Sequence, residues 1–222
     1  CGIGRFSVPL AESGCEVVAL DACLPSLEAA SRHLDEAARR DPGVAERVRL
    51  VWDDVDTTEA IEGPFDLVLA LELLCYLPDP TATARRLAAQ LAPGGHLVVS
   101  VEAWPGALLA DPAGLTVEGL ATALRDRQLA VPDERWVRPI DAAGLAAILR
   151  GAGLEVVSLE GTHYLPDGPL MPLLDLDRLP DPGYRKQVVD LERLLRDEPG
   201  LAPLPRAWVA VARLEEENAP CA

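Results

Sequence analysis

Four short strand-like runs in the first half of the chain each stop at or beside an acidic residue. Val17 to Leu20 stops at Asp21, Val48 to Trp52 at Asp53-Asp54, Phe65 to Ala70 just before Glu72, and His96 to Val101 at Glu102. Between them lie stretches of helical periodicity. Leu27, Ala30, Leu34 and Ala37 share one face of a helix from Pro25 to about Arg40, which Asp41-Pro42-Gly43 ends. Ala84, Leu87, Ala88 and Leu91 do the same from Thr81 to Leu91, ahead of a tight turn at Pro93-Gly94-Gly95. Thr57 to Glu62 reads as a brief helix or turn, and Leu71 to Pro80 as a loop. Alternation of this kind predicts an α/β fold: a mostly parallel sheet with helices on both faces. Ligands of such sheets bind beyond the C-terminal ends of the strands, where the four acids fall. The continuous apolar run Phe65 to Ala70 is expected to be buried on both faces.

The opening stretch, CGIGRFSVPLAESGCEVVALD, reads as a glycine turn, a short helix ending at Gly14, a strand, and Asp21 at the strand's tip. Without a Cβ, Gly2 and Gly4 let the backbone turn sharply and lie close to a ligand. Asp21 can accept two hydrogen bonds from a ribose diol. Two ligand classes use such a layout, a dinucleotide and S-adenosylmethionine. Ser7 stands where the dinucleotide pattern has its third glycine, and the one lysine, Lys186, lies far downstream. Both count against a nicotinamide-dependent oxidoreductase, which stays the less favoured enzyme reading.

The chain's 222 residues suffice for one α/β domain with a real core, so residues 1–222 are expected to form a single domain. A net charge of −16 argues against nucleic acid as the main partner, since phosphate requires a basic footprint. The five cysteines have no zinc-ligand or CxxC spacing and read as reduced thiols of a cytoplasmic protein. No metal site is visible. The longest apolar run, Leu67 to Leu77, carries Glu72 and is too short to span a membrane.

Residues 103–139 follow a strand's C-terminal end and are expected to cover the site as a lid, with a helix from Val117 to Gln128. A helix from Ile140 to Gly151 and a strand from Leu154 to Leu159 come next. Residues 163–205 are rich in Pro and Leu and hold a helix from Tyr184 to Arg196. Ala207 to Ala212 is the last strand, and Leu214 to Ala222 an acidic, frayed tail. The two loop-rich segments are expected to shape an acceptor pocket. His163 follows a strand's end and has the pKa class of a base, so it is the candidate catalytic residue. Glu72, Tyr76, Trp104 and Tyr164 are candidate acceptor contacts, with Trp136 a possible second aromatic wall beside Trp104. His96 starts a strand at the far end and reads as structural. His33 reads as a surface residue of its helix, away from any motif.

These residues resemble the class I S-adenosylmethionine-dependent methyltransferases over 1 to about 160. CGIGRFS is similar to the end of that family's glycine-rich motif, VVALDACLPSLEAA to its second strand and ribose-binding acid, VRLVWDDV to the stretch whose acid meets the adenine amine, FDLVLALELLCYLPDP to its fourth strand and loop, and LAPGGHLVVS to its Leu-x-Pro-Gly-Gly turn and fifth strand. The resemblance implies a Rossmann-like, three-layer αβα fold with an antiparallel last strand. It implies S-adenosyl-L-methionine as cofactor, met by Cys1, Gly2, Ile3, Gly4, Asp21, Ala22, Asp54, Val55 and Leu71. It also implies methyl transfer to a small-molecule acceptor, with oxygen the expected target. ELLCYLPDP and LRGAGLEVVSLEGTHYLPDGPL look like the ubiquinone-pathway O-methyltransferases, which usually carry His where this chain has Tyr76. The family's first strand, its acid and first glycine would precede Cys1. Two expectations follow: an incomplete sequence of a working enzyme, or a degenerate, non-catalytic Rossmann-like protein.

Overall fold

The structure is a computed structural model that describes residues 1–104, 106–110, 116–130, 136–168 and 170–214. The acidic tail falls outside them, as do parts of the expected lid. Two compact units divide the chain, Cys1–Gly63 and Pro64–Ala222.

In the first unit a short helix α1 (Ser7–Glu12) leads through Gly14, at φ +96°, into β1 (Val17–Asp21). Helix α2 (Leu24–Ala38) starts with Pro25 in its first turn, where the missing N–H costs nothing, and buries Leu27, Ala30, Leu34 and Ala37. The periodic stripe read from the sequence is therefore its inner face. A four-residue helix α3 (Gly43–Glu46), which the pattern does not predict, precedes β2 (Val48–Trp52). β1 and β2 pair in parallel from Val17↔Val48 to Asp21↔Trp52, so Asp21 and Trp52 end the two strands side by side. Ala11, Leu34, Ala37 and Val44 form the core of this unit. Thr57 to Glu62 forms no helix; Asp54 closes a turn there by accepting at its carbonyl from Thr57 and Thr58.

The second unit carries β3 (Phe65–Leu71), α4 (Pro80–Ala88), β4 (Leu91–Glu102), α5 (Gly106–Ala110), α6 (Val117–Asp126), α7 (Ala142–Gly151), β5 (Leu154–Thr162), α8 (Pro182–Asp197) and β6 (Ala207–Leu214). Its sheet has the order β3-β4-β6-β5. β3 and β4 are parallel, and β6 runs antiparallel to both β4 and β5. The mixed sheet with an antiparallel last strand is the one expected. Leu97, Val99 and Val101 of β4 pack with Leu145 and Leu149 of α7 and with Leu154, Ala210 and Ala212. Burying one such leucine contributes roughly 1.5–3 kcal/mol.

Two details depart from the sequence reading. β3 pairs on one side only, and Leu67 keeps 44% of its surface exposed, so the run is not buried on both faces. The Pro93-Gly94-Gly95 turn lies inside β4 as a bulge, because pairing jumps from Phe65↔Leu91 to Leu67↔His96. Gly94 takes φ +78° there, and a Cβ on Gly95 would lie 2.8 Å from the Phe65 carbonyl oxygen. Elsewhere the caps set the boundaries. Asp79 and Asp141 accept from the N–H groups of Ala82 and Gly144 and so start α4 and α7.

Candidate functional site

In the first unit the glycine loop folds back on the tip of β1. Gly2 and Gly4 adopt φ +55° and +82°, conformations that only glycine takes without strain. Asp21 Oδ2 accepts from Gly2 N–H at 2.6 Å and from the Cys1 nitrogen at 2.9 Å, and Oδ1 accepts from Cys23 N–H at 2.9 Å. Burial acts to raise the Asp21 pKa, but the hydrogen bonds it accepts outweigh it and hold the carboxyl below its ordinary value. Oδ1 keeps a lone pair for a further donor. A Cβ added at Gly2 would meet nothing within 4 Å, so the backbone there borders open space. Gly4 faces the other way, with an added Cβ 3.3 Å from Ala30 Cβ of α2. Beyond β2, Asp53 Oδ1 accepts from Asp54 N–H, and Asp54 Oδ1 accepts from Asp56 N–H at 2.8 Å. The Asp53 pKa is lowered, chiefly by a hydrogen bond from Thr58. Ile3 and Ala22 are exposed, and Val55 is half-buried.

In the second unit, groups from four strand ends meet along one edge of the sheet. Leu71 closes β3, half-buried, and Glu72 follows it at φ +50°. Buried Ser100 of β4 accepts the Glu72 N–H at its Oγ, 3.0 Å, and returns its own hydrogen to Glu72 Oε1 at 2.8 Å. The residue is exposed as a whole, but its carboxyl end is crowded. Loss of water there raises its pKa, against the opposing pull of the Ser100 hydrogen bond, Arg206 and His163. Glu102, which ends β4, pairs with Arg206, which precedes β6. His163 follows β5 at φ +61°, is exposed, and accepts the Arg206 N–H at its carbonyl, 3.2 Å. Tyr76 is half-buried against the main core. Glu72, His163 and Tyr76 thus belong to one neighbourhood around Arg206.

Two other expected acceptor contacts are engaged within the fold. Tyr164 is 5% exposed, and its hydroxyl donates to Ala202 O at 3.0 Å while its N–H goes to Glu192. Burial, followed by the Glu192 charge, raises its pKa. Trp104 is 8% exposed and packs with Leu108 and Ala123, with the Arg127 guanidinium 4.4 Å from its ring centroid. Trp136 carries the Arg138 guanidinium in the same manner at 4.6 Å.

Residues 1–159 match a family described as a methyltransferase domain. The chain belongs to the methyltransferase domain family. It is 33% identical over 166 residues to a ubiquinone biosynthesis O-methyltransferase from Xanthomonas axonopodis pv. citri (strain 306), covering 75% of this chain and 64% of that one. The chain thus spans under two thirds of the length of that relative. Among solved structures it is similar to an S-adenosylmethionine-dependent methyltransferase from Methanosarcina mazei, with a TM-score of 0.64, 15% identity, and coverage of 97% of this chain and 90% of that one. It is also similar to the magnesium protoporphyrin IX methyltransferase from Synechocystis PCC 6803 solved with bound S-adenosylhomocysteine, with a TM-score of 0.58, 16% identity, and coverage of 97% and 71%.

As a methyltransferase domain the chain shows three residues that the sequence pattern does not mark. Trp52 is 65% exposed at the end of β2, beside Asp21, and its indole N–H donates to Ala22 O at 3.1 Å. An exposed aromatic ring next to a strand-tip acid is suited to stacking on a base. Read from sequence it was only the end of an apolar strand; its neighbour Asp21 is the signal that could have singled it out. His33 is not remote from the motifs. Because Ala30 abuts Gly4, the side chain one turn later reaches the loop, and His33 Nδ1 donates to Ile3 O at 2.9 Å. Arg206 enters the strand-tip edge from a seam that carries no motif.

Proposed function

We propose that this chain transfers a methyl group from S-adenosylmethionine to an oxygen of a small-molecule acceptor and acts in the cytoplasm. One observation carries the reading: an acid stands at the C-terminal end of each of β1, β2, β3 and β4, and the first is locked to a glycine loop that opens on free space. The ubiquinone-type relatives support oxygen as the target. Among the described residues no helix is long and apolar enough to cross a membrane, and Cys1, Cys15, Cys23 and Cys75 are free thiols, which supports the cytoplasmic assignment.

The glycine loop fits the cofactor. Gly2 offers open backbone, Asp21 Oδ1 has a remaining acceptor position for the ribose, Asp54 and Val55 are the residues assigned to the adenine amine, and Trp52 gives the base an apolar face. The sulfonium supplies an already activated methyl group, so the protein's part is alignment and removal of a proton. On the acceptor side His163 takes the proton of the reacting hydroxyl as general base, and Glu72 accepts a hydrogen bond from a second, neighbouring hydroxyl of the acceptor. Tyr76 borders the same neighbourhood.

Calorimetric titration of S-adenosylhomocysteine tests the reading. Binding in the micromolar range, weakened about 10- to 100-fold by Asp21→Ala, is the expected result, since one charge-assisted ribose hydrogen bond contributes about 1.5–3 kcal/mol. Binding that Asp21→Ala leaves intact, or no binding by the folded chain, overturns it. A screen of phenols and catechols with methyl-labelled cofactor then identifies the acceptor class.

A further inference from the structure

The turn after β5 holds the candidate base in a backbone conformation that its residue type disfavours. His163 sits at φ +61°, in the left-handed region, and it is not a glycine. Such an outlier persists only where the surroundings impose it, and outliers of this kind cluster at functional sites. Three fastenings impose it here. Ahead of His163, a Cβ on Gly161 would lie 2.5 Å from the Tyr164 hydroxyl oxygen and 2.9 Å from Pro205, so the strand end is wedged beneath both. At His163 itself the carbonyl accepts the Arg206 N–H at 3.2 Å. Arg206 follows Pro205, whose carbonyl oxygen a Cβ on Gly106 would approach to 1.7 Å. After His163, the N–H groups of Tyr164 and Leu165 donate to the two oxygens of one carboxylate, Glu192 Oε2 at 3.1 Å and Oε1 at 2.6 Å.

The third fastening is a side chain from another element. Glu192 lies in α8, 27 residues beyond Leu165. Tyr164 and Leu165 are 5% and 1% exposed, so water is a poor substitute for that carboxylate. A left-handed residue turns the N–H groups near it toward one side, which makes a concave seat for an anion. The left-handed turn and the carboxylate therefore support each other. We propose that Glu192 is a positioning residue for His163: by accepting both N–H groups it holds His163 left-handed, with its ring exposed at the end of β5. The proposal rests on the reading of His163 as the base. Arg196, one turn further along α8, pairs with Glu160 of β5 at 2.6 Å and ties the same helix to the same strand. A guanidinium accepts no hydrogen bond, so this pair separates a docked helix from a seated carboxylate.

The test reads the backbone by NMR in the full chain, with no acceptor present. Amide exchange of Tyr164 and Leu165 is measured in the wild type and three variants, together with the Cα and Cβ shifts of His163, which separate left-handed from extended backbone. Glu192→Ala is expected to speed exchange at both amides by about 10- to 100-fold, as loss of a charge-assisted hydrogen bond implies, and to move the His163 shifts out of the left-handed range. Glu192→Gln keeps one carbonyl oxygen and turns an NH2 group toward a donor, so it is expected to release one amide and retain the other. Arg196→Gln removes a partly exposed pair and is expected to leave both amides within about fivefold of wild type, with His163 left-handed. His163 shifts that stay left-handed in Glu192→Ala overturn the proposal, as does an Arg196→Gln variant that releases the turn as fully. If Glu192→Ala does not fold, Glu192→Gln decides alone, and unchanged exchange at both amides overturns the proposal. Titration of S-adenosylhomocysteine is the separate readout. A chain that shows these changes but binds none would sink the functional reading and leave the fastening of the turn standing. Binding that Asp21→Ala weakens, beside a His163 that Glu192→Ala leaves unmoved, would sink this proposal alone.

Discussion

The glycine loop of the first unit and the strand-tip edge of the second both fix a carboxylate at the end of a strand, but by opposite means. Asp21 is held by backbone N–H groups, from Gly2 and Cys23, and its pKa falls. Glu72 is held by the side chain of Ser100, crowded by its surroundings, and its pKa rises. A backbone cradle depends on the path of the chain, so few side chains are needed to make it. A side-chain cradle depends on groups such as Ser100, His163 and Arg206, far apart in sequence. The loop is therefore expected to tolerate changes around it and to fail when Asp21 or a loop glycine changes. The edge is expected to respond to any of several distant substitutions.

After Asp21→Ala, the largest effect expected comes from exchanging glycines between the two settings. Gly161→Ala places a Cβ 2.5 Å from the Tyr164 hydroxyl oxygen and 2.9 Å from Pro205. Overpacking of that kind costs about 1–3 kcal/mol, and thermal unfolding should fall by roughly 2–4 °C for each kcal/mol in a chain of this size. Gly2→Ala meets nothing within 4 Å but must keep φ +55°. Its expected cost in stability is smaller, about 1 kcal/mol, while S-adenosylhomocysteine affinity falls, because the new methyl group occupies the open side of the loop. Equal thermal shifts with unchanged affinity for Gly2→Ala would erase the distinction between a packed glycine and a ligand-facing one.

Trp52 sharpens the comparison at a lower magnitude. Stacking a base on an aromatic side chain contributes about 1–3 kcal/mol by alanine substitution, so Trp52→Ala should weaken S-adenosylhomocysteine binding by about tenfold or more, and Trp52→Phe should retain most of it. Titration calorimetry on the two variants decides. An unaffected Trp52→Ala variant would remove the base-binding role and leave the indole as a tether to Ala22.

What was legible in the chain follows the same division. Strand ends, the helix faces of α2 and α4, and the glycine loop are local patterns, and the structure has them close to where periodicity and turn residues put them. The edge of the second unit was legible only in its first members. Glu72 and His163 announce themselves by following strands, but Arg206 stands in a Pro-Arg link whose importance comes from Gly106 and Gly161, 100 and 45 residues earlier by the sequence numbering. The reading that names Tyr164 for the acceptor has no access to Ala202, which takes its hydroxyl across 38 residues. Burial on both faces of β3 failed for a related reason: which neighbours a strand acquires is not written in its own composition.

His33 is where the backbone account of the glycine loop is most exposed to disproof, since it is a side chain from 30 residues away that reaches Ile3 O. The bond is on the surface, so water can replace it, and the net loss should sit at the low end of about 0.5–1.5 kcal/mol. The packing of Ala30 against Gly4 remains in His33→Ala and still positions the loop. The expected outcome is therefore a two- to threefold weaker S-adenosylhomocysteine affinity, on the order of 0.5 kcal/mol, with unfolding nearly unchanged. A loss of tenfold or more in calorimetry would show that the loop is held in its ligand-ready form by a distant side chain. The two regions would then differ in degree rather than in kind, and the first unit's site would be as dependent on tertiary contacts as the edge around Glu72.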